Sequence, residues 1–140
     1  MRKKQSLPMH HSIIDDMAQL LHRFTEEDYA HVAVILDSTS FAQGLFRNLY
    51  GEALRAGWKI EWDKRIWKHG KSIIRFLGLN KHDDVRDLAG FHFTHIVSRP
   101  PSGGLREEQY DQLRTRIRTT VEYAPKLPSG WYYIGRDREE

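Results

Sequence analysis

Apolar and polar positions change period several times along this chain, and each change marks an element. Ile13, Met17, Leu20, Leu21 and Phe24 recur at helical spacing behind Ser12, which with Asp15 three residues on makes a capping-box-like start. Thr25 with Asp28 marks a turn. Residues 32–36 form a continuous apolar run, the pattern of a strand buried on both faces. Asp37-Ser38-Thr39-Ser40 then supplies a turn and cap for a helix over about residues 41–56, and Gly57 stands in the position favoured for a left-handed C-cap.

In the middle the period falls to two. Trp58, Ile60 and Trp62 alternate with Lys59 and Glu61, as in a half-exposed strand. Residues 66–68 and 72–76 flank His69-Gly70, a hairpin turn. Residues 80–87 are polar and predict a loop or short helix, and residues 91–97 predict another strand. After the Pro/Gly loop at 100–104, a helix is expected over about 105–121 with Tyr110, Leu113, Ile117 and Val121 on one side. Residues 131–134 form a short last strand. The order α-β-α-β-β-β-β-α-β predicts an α/β fold: a mixed sheet of about five strands with a central meander, flanked by helices. One domain is expected over 12–135, between a flexible basic arm at 1–11 and a frayed tail at 136–140.

Composition narrows the class. The chain has 140 residues, 39% of them hydrophobic, enough for one core between a sheet and its helices. It has no cysteine, so disulfides and thiolate metal sites are excluded. The charged start Met1-Arg2-Lys3-Lys4 is followed by no apolar stretch, and the longest aliphatic run is far too short to span a bilayer. A soluble, cytoplasmic protein without a membrane partner is expected. The net charge of +3 is mildly basic and permits a nucleic-acid partner without requiring one.

The charge is concentrated in residues 58–75. Lys59, Lys64, Arg65, Lys68, Lys71 and Arg75 stand there against only Glu61 and Asp63, and Trp58, Trp62 and Trp67 are interleaved with them. Cations neutralise phosphates and indoles stack on bases, so this hairpin is a candidate nucleic-acid or partner surface. The alternative is a hairpin whose tryptophans pack inward and whose cations are solvated. Arg114 and Arg118 add cations one turn apart on the expected late helix.

Motifs for catalysis are incomplete. Gly70-Lys71-Ser72 ends like a phosphate-binding loop, but Arg65 stands where that loop needs glycine and a strand comes next instead of a helix. Asp37 closes a buried strand just before a helix, where α/β sites often sit. Its loop resembles the nucleophile loop of haloacid-dehalogenase-type phosphatases, the D-x-S-x-S of von Willebrand A domains and the first acid of PIN-like nucleases. The first wants aspartate at Thr39, the second serine at Phe41, and a helix cap explains the loop without any of them. His92-Phe93-Thr94 is one half of a two-histidine phosphoesterase signature. On a strand His92 and His95 face opposite sides, so no shared metal is expected.

Residues 84–97, Asp-Val-Arg-Asp-Leu-Ala-Gly and then Phe-His-Phe-Thr-His-Ile-Val, resemble the approach to the Walker B strand of phage terminases and helicase-type P-loop ATPases. Pro100-Pro101 and residues 107–113 resemble the segment after that strand, and residues 32–43 resemble the strand, loop and helix after the nucleotide site. The resemblance covers about residues 31–122 and implies a phage or mobile-element relative of those ATPases. Ser98 and Arg99 occupy the Asp-Glu positions and no Walker A is present, so it implies neither magnesium nor ATP hydrolysis.

The first expectation is therefore a non-enzymatic binding protein without a cofactor, engaging nucleic acid or a nucleic-acid-handling protein through the 58–75 hairpin. A second is a metal-dependent phosphoesterase or nuclease using Asp37 with Asp83 and Asp84. A third is a protein-only inhibitor or structural factor.

Overall fold

A computed structural model describes residues 9–80, 83, 85, 91–100, 105–118 and 123–135. Its elements keep the predicted order: α1 (Met9–Thr25), β1 (His31–Leu36), α2 (Thr39–Arg55), β2 (Lys59–Glu61), β3 (Ile66–His69), β4 (Ser72–Gly78), β5 (His95–Ser98), α3 (Glu107–Arg114) and β6 (Gly130–Tyr133). The six strands form one mixed sheet in the order β2-β3-β4-β1-β5-β6, one strand more than the five expected. β4, β1, β5 and β6 run parallel, and β3 and β2 extend the sheet as an antiparallel meander.

β1 lies at the centre, which is why its sequence is apolar throughout. Val32, Val34 and Leu36 meet Ile13, Met17, Leu21 and Phe24 of α1 and Leu45, Phe46 and Leu49 of α2 on one face. Ala33 and Ile35 meet Leu79, Val85, Phe93, Ile96 and the α3 residue Leu113 on the other. Burying each such large side chain contributes about 1.5–3 kcal/mol. From β1 the chain moves one way along the sheet to β4, then back across β1 to β5. Right-handed crossovers therefore place the two connections on opposite faces.

Local chemistry accounts for the element ends. Ser38 caps α2, its Oγ accepting from the Phe41 N–H at 3.1 Å. Gly57 ends that helix at φ +97°, and Gly70 opens the two-residue β3–β4 loop at φ +60°, where such hairpins favour glycine. At Gly78 the constraint is space: a Cβ there would collide with the Thr39 backbone nitrogen, because the β1–α2 loop crosses the end of β4.

Three boundaries depart from the sequence reading. α1 begins at Met9, so Ser12 lies inside the helix and is not its cap. β5 starts only at His95, with Phe93 in an isolated bridge. α3 stops at Arg114, well short of residue 121. Beyond it Thr115-Arg116-Ile117-Arg118 alternates, and its β-branched residues favour extended backbone. Phe93 exchanges hydrogen bonds with Arg116 and Arg118 there, both at 2.7 Å. None of the described helices is long and apolar enough to cross a membrane.

Candidate nucleic-acid interface

Directly opposed residues in a sheet share a face, so the register of the meander sorts its cations. Lys59 pairs with Lys68 and Lys68 with Ile73; Glu61 pairs with Ile66 and Ile66 with Arg75. Lys59, Lys68 and Arg75 therefore lie on the face turned away from α1 and α2. Trp67, with Ile60 and Ile74 opposite it, lies on the face against α2. Lys64 and Arg65 occupy the β2–β3 turn and Lys71 the β3–β4 turn, so cations mark both ends of the meander.

Two lysines directly opposite one another are an unfavourable cross-strand pair. Glu61 relieves it partly, accepting from Lys68 Nζ at 2.8 Å. That hydrogen bond, with the charges of Lys68, Lys64 and Arg75, holds the Glu61 carboxyl below its usual range. Arg75 is anchored more firmly. Its Nε donates to His31 Nε2 at 2.9 Å, and its guanidinium lies 4.9 Å from the centre of the Phe91 ring. Burial and the Arg75 charge push His31 down to about 4, so near neutral pH it is an uncharged acceptor.

The aromatic part of the expected surface is corrected. Trp67 is 0% exposed and packs on Phe46 and Phe76, so its ring is closed to a base. Trp58 is 2% exposed and donates to Thr25 Oγ1 at 2.7 Å. Trp62 alone of the three reaches solvent, seated against Phe46 and Tyr50. Alternation did not separate them because Trp58 and Trp62 fall just outside β2 on either side.

The placement of Arg114 and Arg118 one turn apart on a helix is corrected too. Arg114 ends α3, pairs with Asp111 at 2.8 Å and stacks over Tyr110 and Trp131. Trp131 belongs to β6, five strand spacings from β2, or about 24 Å. Arg118 lies past the helix, on extended chain beside Phe93. Arg114 does not adjoin the meander, and the two do not share a helical face.

At the carboxyl ends of the central strands, Asp37 comes directly after β1 and Arg99 directly after β5, two neighbours whose outgoing connections leave on opposite faces. Such divergence opens the crevice where α/β proteins place ligands. Here Arg99 Nη1 donates to Asp37 Oδ2 at 2.7 Å, pairing the two residues that follow those strands. Asp83 Oδ2 accepts from the Asn80 N–H at 2.9 Å, and buried Gln109 donates to the Asn80 and Asp83 carbonyls. The structure thus commits Asp37 to Arg99 and Asp83 to a turn; Asp84 lies outside the described residues. Among the described residues, no group of three or more His, Asp or Glu is placed to hold a metal ion.

One polar centre escaped the sequence reading. Glu27 is buried and accepts from Tyr123 Oη, Leu127 N–H and Lys126 N–H at 2.7–3.1 Å. Burial works to raise its carboxyl, but these hydrogen bonds and the nearby His95 hold it below the usual value. The partners lie about a hundred positions away, so no local spacing announces them. A cavity of about 360 Å3 opens beside Glu27, between Tyr29 and the His69–Lys71 loop.

Comparison with protein-family models, with curated proteins and with solved structures returned no match to this chain.

Proposed function

We propose that this protein binds nucleic acid through its phosphate backbone on the meander face that carries Lys59, Lys68 and Arg75. The observation that supports the reading is the register. It sets Lys59 directly opposite Lys68, an arrangement that costs stability in the isolated chain and is relieved by a polyanion. Lys64 and Lys71, exposed at the two turns, extend the positive strip along the strands. Arg75, oriented by His31, supplies a planar donor to a phosphate. With the tryptophans largely committed to packing, the contacts are electrostatic and indifferent to sequence.

Electrophoretic retardation of duplex DNA and of single-stranded RNA at 50 and 200 mM salt tests this. For three phosphate contacts on duplex DNA, affinity falls about 40-fold over that interval. Lys59→Glu with Lys68→Glu is expected to abolish retardation, and Lys64→Glu with Arg65→Glu to weaken it. Arg23→Glu, on α1 across the sheet, leaves it unchanged. No retardation of either nucleic acid at 50 mM salt overturns the reading.

A further inference from the structure

We infer that this chain pairs with a second copy of itself through the outer edge of β2, antiparallel and centred on Ile60. β2 ends the sheet, and no described strand covers its outer edge. An uncovered edge presents backbone donors and acceptors to another strand. Four large apolar side chains stand exposed among the described residues, and three of them gather beside this edge. Tyr50 (40% exposed) and Leu54 (52%) lie one turn apart on α2, and the Trp62 ring (51%) sits 5.0 Å from that of Tyr50. α2 packs against β2, so these side chains flank the edge strand on a single face.

The charges identify the occupant. A two-fold axis through Ile60 sets Lys59 opposite Glu61 of the second copy, and Glu61 opposite its Lys59. The edge is therefore complementary to itself, as a closed two-fold interface requires. It also answers the Lys59–Lys68 opposition, because the unrelieved Lys59 gains a carboxylate on its free side. Glu61 keeps Lys68, since a carboxylate has two oxygens to share. Ile60 meets its counterpart, and on the α2 face the same register sets Trp62 of one copy opposite position 58 of the other, so each Trp62–Tyr50 pair lies toward the Leu54 end of the other copy's α2. The axis stands perpendicular to the sheet, so the two lysine-bearing faces join into one surface. The pairing itself stands on the edge alone and does not depend on nucleic acid.

Sedimentation of the full chain without nucleic acid tests the pairing. At about 100 µM a mass twice the 16.5 kDa of the chain is expected. Lys59→Glu and Glu61→Lys each set like charges together and are expected to return monomers. The double variant Lys59→Glu, Glu61→Lys restores complementarity and with it the dimer, which separates lost pairing from lost folding. The chain has no cysteine, so Ile60→Cys should form a covalent dimer on mild oxidation, whereas exposed Lys126→Cys should not. A monomer at every concentration, or a dimer indifferent to both single reversals, overturns the inference. Loss of retardation with the dimer intact, as expected for Lys68→Glu, overturns nothing here.

Discussion

Arg99, the first residue past β5, donates to Asp37, the first residue past β1, across 2.7 Å. The partners are 21% and 30% exposed, so the pair lies between a solvated bridge and a buried one. Asp37→Asn and Arg99→Gln are each expected to cost about 1–2 kcal/mol in urea unfolding. Arg99→Gln costs more, because the guanidinium also lies over Phe41. The double variant should lose about 0.5–1 kcal/mol less than the sum of the two. Strict additivity would show that the two residues do not act together.

Gly78 and Gly44 give opposite expectations for the same substitution. At Gly78 a Cβ meets backbone of the Ser38–Thr39 loop, which cannot rotate away; Gly78→Ala is expected to cost at least about 2 kcal/mol. At Gly44, inside α2, a Cβ meets nothing within 4 Å. Gly44→Ala should stabilise by about 0.5–1 kcal/mol through helix propensity. Thermal midpoints moving the same way for both would refute the account of Gly78.

Trp58 and Trp67 are buried alike but hydrogen-bonded differently. Trp58 donates to Thr25, whereas the Trp67 indole N–H is buried without a partner. Trp58→Phe leaves Thr25 Oγ1 without its donor and should cost about 2–3 kcal/mol, packing included. Trp67→Phe loses similar volume but also removes the unpaired N–H, so it should cost about 1 kcal/mol less. Equal losses on chemical denaturation would contradict this assignment.

Between pH 7 and 4.5 the acid sensitivity comes chiefly from the histidines. His31 folds with a value near 4, below its ordinary 6.5, so between those values the unfolded chain binds more protons. Stability from this group is complete above pH 6.5 and is lost as pH falls toward 4. Burial lowers His95 as well, which acts with the same sign. The thermal midpoint should therefore drop between pH 7 and 4.5. His31→Gln keeps an acceptor for Arg75 and should make that drop shallower. An identical slope in the variant would exclude His31 as a source.

The element order was legible because each segment carries its own signal. The run at 32–36 reads as a strand covered on both faces, and residues 37–40 offer a turn and cap for the helix after it, a cap that the structure assigns to Ser38. Where two signals compete, locality fails. Tyr110, Leu113 and Ile117 read as one helical stripe, yet the alternation from Thr115 wins once Phe93 offers a backbone to pair with. Charge was legible in amount but not in direction. Sequence alone determined that residues 58–75 are basic and that the chain is α/β. Only the tertiary structure decided that Lys59, Lys68 and Arg75 share one face, that Trp67 is core, and that Asp37 belongs to Arg99. Periodicity is set by the backbone of one segment, whereas the face a side chain shares is set by register between strands, a contact that no single segment encodes.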